Sequence, residues 1–149
     1  MIVLGIDAAW TSTQPAGVAL VRRRNGVWET LAVAPSYTAF NSCASKSDVG
    51  WATGRFVGTR PAMRSLLTSA ESIGGASVDI VAIDMPIASV PFRGRRAADN
   101  ATSRAFGRYG CSAHSPTDAR PGQLGEDLAI ELRDLGYPVA TADEPAGSL

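Results

Sequence analysis

Sulfur and imidazole are scarce in this chain. Its 149 residues hold two cysteines, Cys43 and Cys111, and one histidine, His114. Two cysteines do not make the disulfide framework of a stapled secreted domain. With one histidine a zinc site would need carboxylate ligands, and no zinc spacing is present. No apolar run approaches the ~18 residues of a membrane span. The first apolar stretch is short and lacks a basic leader, unlike a signal peptide. These absences predict a cytoplasmic protein with no membrane partner. Net charge is also missing, with 14 basic against 14 acidic residues. The 45% hydrophobic and 19% charged content fits one globular domain with a real core, and not a disordered or collagen-like chain.

The charge that is present is unevenly placed. Residues Pro91 to Arg120 carry six arginines against Asp99 and Asp118, whereas Pro121 to Leu149 carry Arg133 against six acids. A basic segment beside an acidic site suits a phosphate-bearing substrate held by arginine and metal. Lysine is nearly absent, since 13 of the 14 basic residues are arginine, a bias that genome composition also produces.

Two short apolar runs end in the same way. Ile2-Val3-Leu4-Gly5-Ile6 leads into Asp7, and Ile80-Val81-Ala82-Ile83 leads into Asp84. The second run reads as a strand buried on both faces, closed by Pro86, which cannot extend a ladder. A carboxylate at the end of a buried strand must be compensated or neutralised. Two strands that each deliver an aspartate at the same end predict one shared site.

The rest of the chain supplies elements around that pair. Gly17–Arg24 and Val27–Ala34 are strands joined by Asn25-Gly26, a strong hairpin signal. With the first strand, Ile2 to Ala8, they predict an antiparallel meander. Pro35 to Gly58 has no sustained period and reads as a long excursion with short helical turns near Ser47 to Thr53; Tyr37, Trp51 and Phe56 would cover the sheet. Pro61 to Ile73 is a predicted helix, with Thr59 as cap, Met63, Leu66, Leu67, Ala70 and Ile73 on one face, and Gly74-Gly75 as its stop. The following strand is then parallel to the first through a right-handed crossover. Arg95 to Phe106 and Gln123 to Leu135 are two further predicted helices, the latter ending at Gly136. Gly107 to Gly122 reads as loop, Tyr137 to Ala142 as a fifth strand, and the last seven residues as a frayed end.

A three-stranded meander, a crossover helix and a parallel strand, with acids on strands one and four, is the layout of a ribonuclease-H-like α/β domain. Carboxylates at adjacent strand ends can hold divalent ions about 4 Å apart. More specifically, the chain resembles a family of uncharacterised proteins regarded as predicted nucleases with that fold (domain of unknown function 429). The resemblance rests on Gly5-Ile6-Asp7-Ala8-Ala9-Trp10, Gly17-Val18-Ala19, Ile83-Asp84-Met85-Pro86-Ile87, Gly94-Arg95-Arg96-Ala97-Ala98-Asp99, Gly110 to Pro116, and Arg120-Pro121-Gly122.

The resemblance implies a metal-dependent nuclease or phosphodiesterase acting on nucleic acid or a nucleotide with Mg²⁺ or Mn²⁺. Asp7 and Asp84 would be the metal ligands and Asp99 a supporting acid. Arg95, Arg96 and Arg120 would clamp phosphate, and His114, the side chain whose unperturbed pKa lies near neutrality, would shuttle a proton. Each has a plainer alternative: a turn-capping acid for Asp7, an ion pair with Arg95 or Arg96 for Asp84 and for Asp99, surface charge for the arginines, and loop packing for His114. Cys111 and His114 read either as a nucleophilic pair or as a small thiol beside a loop histidine. Ribonuclease-H-like domains usually carry a further acid on a helix after the fifth strand. This chain stops at Leu149 without one, which leaves three readings: Asp99, Asp118 or Glu126 supplies the acid, a partner supplies it, or the chain is a shortened and inactive form; an edge left open by the missing end would favour a homodimer. Two other classes stay open: a phosphotransferase of the actin and sugar-kinase type, suggested by Gly5-Ile6-Asp7 with Thr11, Ser12 and Thr13, and a non-catalytic scaffold.

Overall fold

Asn25 and Gly26 adopt φ of 52° and 80°, the two positive values that a tight hairpin turn requires. They join β2 (Gly17–Arg24) to β3 (Val27–Ala34), and β2 also pairs antiparallel with β1 (Ile2–Asp7). The computed structural model describes residues 1–45, 55–87, 94–113, 115–117 and 120–140. Within them a fourth strand, β4 (Ile80–Ile83), pairs parallel with β1, giving the sheet order β3-β2-β1-β4. The fold is therefore α/β, with a mixed four-stranded sheet, one parallel pair and four helices: α1 (Tyr37–Ala44), α2 (Met63–Gly74), α3 (Ala97–Phe106) and α4 (Gln123–Asp134). A 3₁₀ turn, Gly107–Tyr109, follows α3. No helix among the described residues is long and apolar enough to cross a membrane.

Alternation along the strands assigns the two faces of the sheet. Ile2, Leu4 and Ile6 on β1 and Val18 and Leu20 on β2 are buried, while Val3, Gly5, Ala19 and Val21 between them are half-buried. The buried set meets Phe40 of α1, Met63, Leu66 and Ala70 of α2, and Leu128 and Leu132 of α4 in one core. Leu4, Leu20, Phe40, Met63 and Leu66 are closed to solvent, so truncating one of them would cost about 2–5 kcal/mol. On the opposite face, Val33 of β3 is 47% exposed and Ala82 of β4 is exposed. Among the described residues, the helices pack on one side of the sheet.

Three sequence expectations change here. The run into Asp84 is not buried on both faces, because β4 is the edge of the described sheet and Ile80, Val81 and Ile83 are only half-buried. Tyr137 to Ala140 form no strand, since Pro138 removes a ladder donor. Instead the Tyr137 hydroxyl donates to the Val78 carbonyl at 2.7 Å and pins this segment below the start of β4. Pro35 to Gly58 is not all excursion, for it opens with α1. Ser36 caps α1 by accepting the Ala39 N–H at 3.1 Å, and Tyr37 and Phe40, three residues apart, bury its inner face. The expected turns at Ser47 to Thr53, with Trp51, lie outside the described residues, as do 141–149.

Caps depart from expectation in an informative way. Thr59 does not cap α2, whose N-cap is Ala62 with no side-chain bond. The Met63 N–H donates to Glu131 of α4 at 2.9 Å, so a neighbouring helix satisfies the orphan donor and places its charge at the favourable end of the dipole. Gly75 ends α2 at φ 74°, as the Gly-Gly pair predicted.

Candidate metal and phosphate site

The parallel ladder of β1 and β4 runs in register through Ile6↔Ile83 and continues one residue further, where the Asp84 N–H donates to the Ile6 carbonyl at 2.9 Å. Asp84 therefore stands beside Asp7, on the next strand, at a strand spacing of about 4.8 Å. Register partners in a sheet share a face, so both carboxylates emerge on the same side. Both are exposed, and neither makes a hydrogen bond or ion pair with its side chain among the described residues. The residue opposite Asp7 on β2 is Gly17, where a Cβ would lie 3.5 Å from the Asp7 Cβ. Glycine there leaves the Asp7 carboxylate unobstructed.

The two aspartates line a pocket of about 560 Å³ with Trp10, Thr11 and Gln14 from the β1–β2 loop and Ser115, Thr117 and Arg120 from the segment before α4. They also close the end of a shallower hollow of about 600 Å³ on the uncovered sheet face, over Gly5, Ala19 and Ala82.

Two close approaches shape the pocket. Gly58 packs against the backbone of Gln14 so tightly that a Cβ would fall 2.2 Å from the Gln14 carbonyl oxygen. Gly125, in the first turn of α4, faces Pro121, the Pro86 carbonyl and Met85, with a Cβ position 3.2 Å from Pro121. The start of α4 thus sits on the turn that follows Asp84. This brings Arg120, joined to Pro121 by a cis peptide, into the pocket. A turn fixes the Arg120 backbone: its N–H donates to the Thr117 carbonyl at 3.1 Å and Thr117 N–H donates back at 2.6 Å. The Arg120 guanidinium has no partner among the described residues and is exposed.

Two neighbours register the chemistry of the site. The Tyr37 phenol is pushed up to about 12, first by burial and then by the negative charge of Asp7. The Ser115 hydroxyl oxygen is buried without a hydrogen-bond partner. A buried unpaired hydroxyl is costly, and its position in the pocket leaves it available to a bound group.

The remaining predicted site residues go elsewhere. Asp99 is buried, but under arginine side chains. It bonds Arg96 through Oδ1 at 2.7 Å and accepts the Arg96 backbone N–H at 3.0 Å, which closes the first turn of α3. The hydrogen bonds from Arg96 hold the Asp99 carboxyl below its ordinary range. Arg95 donates to Asn100, to the Asp99 carbonyl and to Ser103. Neither Arg95 nor Arg96 lines the pocket or reaches Asp84. His114 and Asp118 lie outside the described residues. Among the described residues no third Asp, Glu, His or Cys joins Asp7 and Asp84 in a metal-sized group. Gln14, Ser115, Thr117 and Tyr37 were not foreseen as site residues. Ser115 falls in the Gly110–Pro116 stretch that carries the resemblance, whereas Gln14 and Thr117 are exposed polar loop residues with no signal of their own.

No family model matches the chain, and neither a curated protein nor a solved structure shows significant similarity to it.

Proposed function

We propose that this protein is a metal-dependent phosphodiester hydrolase on a ribonuclease-H-like scaffold, acting on nucleic acid or a nucleotide. One observation carries the reading: two exposed carboxylates, with no side-chain partner among the described residues, stand side by side at the C-terminal ends of adjacent parallel strands, facing a pocket that Arg120 also lines. The strand order β3-β2-β1-β4, antiparallel except at β1–β4, supports the scaffold. Like charges this close repel, and a divalent cation relieves the repulsion. The donor set suits Mg²⁺ or Mn²⁺, which take one or two carboxylates and complete their shell with water and substrate oxygens. A cation held by Asp7 and Asp84 would supply an activated water and neutralise charge on the phosphoryl group.

The chain's own residues divide the remaining work. Arg120 offers a planar fork of donors to phosphate oxygens. The Thr11 and Ser115 hydroxyls line the same wall and donate to the substrate. Trp10, half-buried at the mouth, shields one side of the pocket from water. Calorimetric titration of Mg²⁺ and Mn²⁺ into the wild type, Asp7→Asn and Asp84→Asn tests the reading. Binding by the wild type alone is the expected result, and absence of binding by the wild type defeats it.

A second reading has a specific observation behind it. Thr11 and Gln14 of the β1–β2 loop line the pocket, where a phosphotransferase of the actin and sugar-kinase type would hold nucleotide phosphates. Metal uptake only in the presence of ATP would favour that reading over hydrolysis.

A further inference from the structure

The helix α3 is exposed almost throughout. Asp99 is its one buried residue, and among the described residues it packs chiefly against the 3₁₀ turn that continues it. At that end stand two aromatic rings, Phe106 at 54% and Tyr109 at 65% exposure. They stand three positions apart across the 3₁₀ turn, so they lie on one side of it, about 6 Å apart along its axis. The Arg108 guanidinium lies 4.6 Å from the centre of the Tyr109 ring. This is a cation–π contact, and it orients the ring.

Arginines stand on this ridge and on the adjoining one. Arg95 reaches along α3 to Ser103, one turn before Phe106, and its hydrogen bonds all go to neutral groups, although it also lies in the field of the Asp99 carboxylate. Arg104 and Arg108, four apart, line the adjoining side, where Arg108 meets the Tyr109 ring. From Gly94 to Gly110 there are four arginines and a single acid, Asp99, which Arg96 already engages. The one carboxylate of this stretch is already engaged, so the patch carries a net positive charge that complements a polyanion. Cations alternating with open rings match single-stranded nucleic acid, whose phosphates and unstacked bases need both. A duplex would give the rings nothing to stack on.

We propose that α3 and the 3₁₀ turn form a platform for single-stranded nucleic acid, with Phe106 and Tyr109 stacking on bases and Arg95, Arg104 and Arg108 holding phosphates. This deepens the hydrolase reading by naming its substrate class, and rests on that reading for its purpose. The test separates the two. Fluorescence anisotropy of a labelled oligothymidine of about 12 nucleotides, titrated in EDTA with the Asp7→Asn/Asp84→Asn protein, reports binding without metal or turnover. Binding should weaken with salt at a log–log slope near −2, the value for about three phosphates on a single strand. Phe106→Ala with Tyr109→Ala should weaken it roughly tenfold or more, while Tyr109→Phe keeps it. Arg104→Ala with Arg108→Ala should flatten the slope by about 1.4. A circular-dichroism melt unchanged by these substitutions establishes that the variants fold. The proposal is overturned by absence of binding, by equal binding of a duplex, or by indifference to the aromatic changes. It is overturned equally if those changes abolish self-association of the protein and leave oligonucleotide binding as it was, since the patch is then an interface between copies. A protein that binds the strand but takes up no metal keeps the platform and loses the hydrolase.

Discussion

Asp99 and the pair Asp7/Asp84 are the same chemical group in opposite circumstances. Asp99 is buried, paired to Arg96 and bonded to a backbone N–H, so its charge is fully used in starting α3. Asp7 and Asp84 stand exposed at strand ends, next to each other, with no side-chain partner among the described residues. A satisfied carboxylate is structural, and its removal should injure the fold. A pair of like charges side by side repels, so it does not stabilise the fold, and its removal should leave the fold unharmed.

The largest effect tests this directly. Asp7→Asn or Asp84→Asn should abolish divalent-ion binding and reduce any hydrolytic activity by more than the roughly 100-fold typical of outer-shell partners of a metal. The same variants should melt within about 0.5 kcal/mol of the wild type, or above it, because a repulsion is removed. Loss of stability alongside unchanged metal binding would reverse the contrast.

Next in size is Gly58→Ala. Its Cβ would enter the backbone of Gln14, and the sterics leave no rotamer to absorb it. A loss of about 1–3 kcal/mol in a denaturant melt is expected. The β1–β2 loop should move with it, and metal binding should weaken although no ligand changed. A neutral Gly58→Ala would mean that the loop does not shape the pocket.

How much of this was legible in the chain depends on the range of the interaction that decides each element. The hairpin was, because Asn25-Gly26 sets its own φ values. So was α2, whose apolar face repeats over three turns. The site's two aspartates were legible because each interrupts an apolar run. α1 was not: two turns are too short for a period to show, although Ser36 as cap with Tyr37 and Phe40 three apart was a usable signal. The donor that closes α2 came from Glu131, far along the sequence, so no local cap pattern could reveal it. The exposure of β4 depends on what does not pair with it, which composition cannot state. Asp99 read equally as a ligand or as the partner of Arg95 or Arg96, and only the position of α3 separates the two.

A smaller effect follows from Asp99. Its pKa is lowered in the folded state by Arg96. The stabilisation it gives is therefore present above the ordinary carboxylate value of 3.8 and is lost as pH falls through the folded value. Asp99→Asn should lower the melting temperature at pH 7, and the gap to the wild type should close on acidification below about pH 4. A gap that stays constant with pH would show that the ion pair contributes nothing.

The smallest effect is spectroscopic, and it reads Asp7 from a neighbour. Tyr37 ionises near 12 because burial disfavours the phenolate, with the Asp7 charge adding to the shift. Its folded value is raised, so the fold keeps this stability below the ordinary tyrosine value of 10.0 and loses it as pH rises towards 12. Asp7→Asn should lower the Tyr37 value only in part, since burial, the larger cause, remains. A tyrosinate titration followed in the ultraviolet, on the wild type and on Asp7→Asn, reads this difference. An unchanged Tyr37 value in Asp7→Asn would show that the Asp7 charge does not reach the phenol, and that burial alone raises it.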